Sequence, residues 1–168
     1  MNVVVTVSLL GIAYWKGDWK NWHKYALTLY YVIICNLLYN YFCHDFLLWQ
    51  YKEETWHIKH FIIDLAYTFI TLPAITLLFL TYYPNLKTRV NQGKYIIYWV
   101  VGSMLIELPI IYLNELIMNN GYEYWMDLFF YTVMYIMIRL HFVSPIKSYF
   151  FSIIIIVFML WYFNVPLQ

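Results

Sequence analysis

The chain has 168 residues, 64% of them apolar and 11% charged, with a mean hydropathy of +0.61. Charged residues make up roughly a quarter of a soluble domain, so the polar coat of a water-facing enzyme is missing. Ten Lys and Arg against nine Asp and Glu give no positive field to hold nucleic acid, and no Gly-rich loop is present to cradle a phosphate.

Hydrophobic runs set the organisation, since a helix needs about 20 apolar residues to cross roughly 30 Å of hydrocarbon. Six runs occur in chain order: 2–15, 25–48, 61–83, 95–118, 124–142 and 149–163. Their backbone groups must pair internally in lipid, and the runs are too long and too continuously apolar for barrel strands, so all six are predicted to be helices. The predicted fold is all-α: a polytopic bundle of about six transmembrane helices forming one integral membrane domain over 1–168. The first run reaches only ~21 Å at about 1.5 Å per residue, so it must continue into the Lys16 to Lys24 stretch or lie at an angle. It has no Lys or Arg before its apolar part and no small-residue cleavage site, which reads as an uncleaved helix. Cys35 and Cys43 are about 12 Å apart along one helix, too far to bridge.

Lys and Arg predict the orientation, because cytoplasmic loops hold an excess of them. Lys16, Lys20, Lys24, Lys87, Arg89, Lys94, Arg139 and Lys147 fall on one side, and Lys52 and Lys59 on the other. Both termini are therefore expected outside. Trp15, Trp19 and Trp22 on the inner side, and Trp49, Trp56 and Trp125 on the outer, suit the headgroup levels.

Polar residues inside the runs are costly and need a reason. Asn36 lies about 17 Å deep and Glu107 about 18 Å deep, counted from the inner ends of their helices. Asn36 and Asn40 with His44, and Ser103 and Glu107 with Asn114, form two stripes expected to face each other. Arg139 lies about 6 Å from its helix end, too far from Glu107, and is expected to reach inward to water or headgroups. Asn36, Asn40, Tyr131 and Tyr135 are then candidate donors to Glu107. Interhelical glue is the simplest role for such a seam; a path for protons or a small solute is the functional one.

A second group lies at the outer ends, where His44, Asp45, Asp64, Asn114, Glu115 and Asp127 come within about one helical turn of the interface. His57 and His60 add i, i+3, i+7 spacing to Asp64, a face that could meet a divalent cation. A solvated rim is the expectation that this group favours, and no cofactor is predicted. No nucleophile stands in a recognisable elbow, so catalysis is not expected. Pro73 and Pro109 are expected to free the carbonyls of Phe69 and Leu105. The sixth helix is apolar from Ile153 to Trp161 and is expected at the bundle edge.

The runs Gly17-Asp18-Trp19-Lys20-Asn21-Trp22, Asn36-Leu37-Leu38-Tyr39-Asn40, Leu72-Pro73-Ala74, Arg139-Leu140-His141 with Pro145, and Tyr162-Phe163-Asn164-Val165-Pro166 span nearly the whole chain. In them it resembles a family of small uncharacterised multi-pass membrane proteins of spore-forming Gram-positive bacteria. The resemblance implies a bacterial plasma membrane and makes the Asn36/Asn40 and Arg139/His141 pairs motif positions. Two readings stay open: a polar seam that binds or passes protons, water or a small solute, and a structural or accessory subunit. The second would hold a membrane partner, or a second copy, through its sixth helix. The lipid bilayer is the partner common to both, and nucleic acid belongs to neither.

Overall fold

A computed structural model describes residues 2–51 and 64–166. The chain is mostly helical, in six helices: α1 (Asn2–Lys16), α2 (Trp22–Phe42), α3 (Asp64–Thr81), α4 (Arg89–Tyr112), α5 (Asp127–Val143) and α6 (Pro145–Tyr162). Among the described residues, four stretches are long and apolar enough to cross a membrane: α3, α4, α6, and α5 with the single 3-10 turn Tyr124–Met126 before it. In α2, Lys24, Asn36, Asn40 and five tyrosines dilute a helix of 21 residues. The expected start of the third helix at Phe61 lies outside the described residues.

The first run does not continue into the lysine stretch. The chain turns at Gly17, where an added Cβ would lie 2.5 Å from the Ala13 carbonyl oxygen. That oxygen also accepts from the Trp19 indole at 2.7 Å, and a 3-10 turn, Trp19–Asn21, leads into α2.

Two boundaries differ from the hydrophobic pattern in a related way. The runs 25–48 and 95–118 both overshoot their helices: the surplus of the first, 43–48, is a turn that leads into a short strand β1 (Trp49–Tyr51), and the surplus of the second ends in a short strand β2 (Leu116–Met118). These pair antiparallel, Gln50 opposite Ile117. The reason for the second break is Asn114. It takes a left-handed φ of 54°, and the Asn114 and Glu115 amides donate back to Ile111 and Ile110 at 2.8 and 3.0 Å, which closes α4 in a Schellman cap. Asn164 ends α6 the same way, with φ 52° and bonds to Trp161 and Leu160. Asn120 fastens the loop after β2 to the segment before β1 by donating to the Leu47 carbonyl at 2.8 Å.

One end of the bundle therefore carries this ribbon. The other carries the Lys16 to Lys24 turn and the loop from Tyr82 to Thr88, held together by bonds from the Asp18 amide to Thr81 and from the Tyr82 hydroxyl to the Lys16 carbonyl. We call them the ribbon end and the basic end. Tyr25, Tyr31 and Val32 of α2, Leu72, Leu77, Phe79 and Leu80 of α3, Val100 of α4, and Tyr135 and Ile138 of α5 form the core. Half of α3 is buried, against 6% of α6, so α3 is central and α6 lies at the edge. Exposed Ile153, Ile154, Val157 and Phe158 on α6 suit hydrocarbon rather than water.

Pro73 acts through a wide turn. Residues Tyr67–Thr71 are π-helical, with the Leu72 amide bonded to the Tyr67 carbonyl, and Pro73 has no N–H to continue that register onto the Thr68 carbonyl. In α4, Pro109 sits inside the helix. The outside donor that arrives beside it, the Tyr124 hydroxyl, bonds the Met104 carbonyl at 2.7 Å, one residue from the expected Leu105.

Candidate functional site

Helices α4 and α5 pack antiparallel, and side chains four residues apart share a helix face, so Ser103 and Glu107 meet Asp127, Tyr131 and Tyr135. Ser103 and Tyr135 share a hydrogen bond of 2.7 Å between hydroxyls. One turn nearer the ribbon, the Tyr131 hydroxyl donates to Glu107 Oε2 at 3.0 Å. Beyond it the carboxyl groups of Glu107 and Asp127 face each other within hydrogen-bond reach. Tyr122, in the loop after β2, donates its hydroxyl to Asp127 Oδ1 at 2.7 Å. Asp127 is only 4% exposed, yet its Oδ2 has no conventional partner. With Oδ1 held by Tyr122, Oδ2 is the open position of the site.

The surroundings follow from the elements already described. Tyr67, in the wide turn of α3, lies within electrostatic range of Glu107, Asp127 and Tyr135. The ribbon brings Tyr122 and Trp49 over the end of the seam, with Trp49 stacked on Tyr39 at 4.2 Å. Burial, and the Asp127 carboxylate beside it, hold the Tyr122 hydroxyl above the usual tyrosine range. Toward the basic end the seam closes on packed rings. Phe79, fully buried, lies 4.9 Å from the Tyr135 ring, with Trp99 and Tyr95 around it. Polar groups thus line the path from the ribbon end to Ser103 and Tyr135, and rings fill it beyond.

Several expected placements change. The α2 and α4 stripes do not meet, because α2 packs mainly on α3 and α5 while α4 packs on α5. Asn36 instead donates to Thr68 Oγ1 at 2.7 Å, and Thr68 donates on to the Asp64 carbonyl. Asn40 is half-buried on the same helix. Asn114 is exposed and serves as the left-handed end of α4, outside the seam. Tyr135 bonds Ser103 rather than Glu107. Arg139 does stay at the basic end, its guanidinium 4.3 Å from the Tyr83 ring and 5.7 Å from that of Phe142, a cation–π seat. Trp49, expected at the headgroups, is packed in the ribbon cluster.

The outer group is not a single cluster. His44 pairs with Asp45 at 2.8 Å, both exposed; Asp64 is the first described residue of α3, and Glu115 follows the end of α4. His57 and His60 lie outside the described residues, as does Trp56. Among the described residues no three His, Cys, Asp or Glu side chains come together. Asp127, expected at this rim, points inward as the innermost acid's partner. The signal for it was the 127, 131, 135 spacing, which puts it on the tyrosine face.

A second polar group, which the sequence reading touched only through a motif, braces the basic end. His141 is fully buried, its Nδ1 3.1 Å from Thr28 Oγ1, its ring stacked on Tyr31 at 4.2 Å and edge-on to Tyr149 at 5.3 Å. The Tyr31 hydroxyl shares a 2.7 Å bond with Ser152. These bonds tie α2, α5 and α6 together. Comparison with known protein families, with curated proteins and with solved structures finds no match. The class defined by fold and site is an all-helical chain, with four helices able to cross a membrane and a carboxyl pair enclosed among tyrosines.

Proposed function

We propose that this is a six-span protein of a bacterial plasma membrane, both termini outside, whose seam takes up and releases protons from the outer, ribbon end. The carrying observation is Asp127: buried, opposite Glu107, with one oxygen unpartnered. A purely structural pair would have both carboxyls saturated, since an unpartnered buried acceptor costs about 1–3 kcal/mol. The ring packing around Phe79 favours a binding site over an open pore. Basic residues gathered at the other end support the orientation, and the exposed apolar face of α6 is the surface that lipid, or a partner of an accessory subunit, would cover.

Infrared difference spectra of the protein in lipid vesicles, taken across a pH range, test the reading. The signal of a protonated carboxyl is expected in the native chain and is expected to lose a component in Glu107→Gln, which keeps the shape and hydrogen bonding of the side chain. Spectra with no titrating carboxyl, or identical in the two proteins, would overturn it.

A further inference from the structure

We propose that the Glu107–Asp127 pocket also accepts one alkali cation in exchange for one of its protons. The proposal rests on the proton site above and names a second occupant for it. Three observations carry it.

Asp127 Oδ2 is buried without a hydrogen-bond partner, in a residue 4% exposed, and the Glu107 carboxyl is the neighbouring acid. It is a vacant acceptor beside a second carboxyl. The nearest groups supply oxygen throughout: two carboxyls, and the hydroxyls of Tyr122 and Tyr131 that already fix one oxygen of each acid at 2.7 and 3.0 Å. Oxygen donors select hard cations over soft ones. With one oxygen of each acid fixed, the other oxygen of each remains for a bridging ion.

Charge then selects the valence. With both carboxyls protonated the pocket is neutral. Exchanging one proton for one alkali cation leaves it neutral and preserves the hydrogen bond to Tyr122 or Tyr131; the displaced proton leaves to water at the ribbon end. A divalent ion would have to displace both protons and would call for six or more oxygens, where no third carboxylate, imidazole or thiolate joins the pair among the described residues. The titratable groups near the pair are Tyr122 and Tyr131, which bond it, and Tyr67 of α3 and Tyr124 of the 3-10 turn, which feel its charge. All are phenols, so the carboxyl pair alone supplies the exchangeable proton near neutral pH.

Sodium chloride added to the full-length protein in weakly buffered detergent solution is expected to release about one proton per chain, read with a pH indicator. It should also raise the unfolding temperature saturably, with the apparent affinity falling about tenfold per unit of pH lowered. Choline chloride at equal ionic strength should do neither, and Asp127→Asn should abolish both while Asp45→Asn, at the exposed rim, retains them. If Asp127→Asn does not fold, proton release by the native chain decides alone. No release on adding sodium, the same release with choline, or a response to calcium chloride in place of sodium would overturn the cation site. A titrating carboxyl in the infrared with no sodium response removes this inference and leaves the proton site standing; no titrating carboxyl removes both.

Discussion

Asp127 has two affiliations: counted along the chain it belongs to the water-facing end of its helix, and by its contacts it belongs to the interior. The loop after β2 reconciles them by folding Tyr122 over it, so that a carboxylate one residue into α5 is roofed by a phenol. That phenol carries a pH signature. Burial and the neighbouring carboxylate raise its folded pKa above the unfolded value of 10.0, so the stability it contributes is whole below pH 10.0 and is lost as pH rises toward the folded value. Tyr122→Phe should lower stability at neutral pH by about 1–3 kcal/mol, through the acceptor left bare on Asp127. The gap between the two proteins should narrow above pH 10.0. Unfolding curves at stepped pH check it; a constant gap would mean that the hydroxyl is not held back by its surroundings. Depth counting made Glu107 and its Tyr131 donor legible in the sequence, because each lies at a countable depth on its own helix and the two helices are neighbours in the chain. It could not tell that Asn36 turns to Thr68, since which helix lies beside α2 is a packing outcome that periodicity does not encode.

At the scale of elements, the sequence carried the number of helices and their order, and misplaced their ribbon-side ends. Hydropathy cannot separate the last turns of a helix from a short buried strand, as both are plain apolar runs. Leu116, Ile117 and Met118 satisfy either description. Asn114 decides between them, because a residue that tolerates a left-handed backbone can stop a helix where a β-branched one cannot. Asn114→Gly should therefore be neutral or slightly stabilising, and Asn114→Val should cost about 1–2 kcal/mol, measured by denaturation in detergent. Equal stability of the two variants would show that the ribbon, not the cap, ends α4. The proline effects were legible in kind but not in detail. The π-turn before Pro73 makes Thr68, rather than the expected Phe69, the carbonyl that the missing proline N–H would have met, which a count of missing donors does not foresee.

For the whole molecule, the decisive asymmetry is between its two ends. Eight of the ten Lys and Arg residues lie at or near the basic end, where Arg139 rests on Tyr83 and Lys24 lies over Tyr25, and the carboxyl pair lies toward the other. If the basic end faces the cytoplasm, the proposed exchange of protons and cations is with the outside, and the rings around Phe79 stand between the pair and the cell interior. The reverse orientation would turn the same site toward the cytoplasm and change what it can sense or take up. Single cysteines in a Cys35→Ala, Cys43→Ala background separate the two. His44→Cys, exposed at the ribbon end, should react with a membrane-impermeant thiol reagent on intact cells. Leu86→Cys, fully exposed in the loop at the basic end, should react only after the cells are permeabilised. The opposite pattern would invert the topology and move the site to the inner face. Labelling of both positions on intact cells would put the two ends on one side, which no bundle of fully crossing helices with this chain order allows, because α2 alone separates position 44 from the Lys16 to Lys24 turn bonded to the loop that holds position 86.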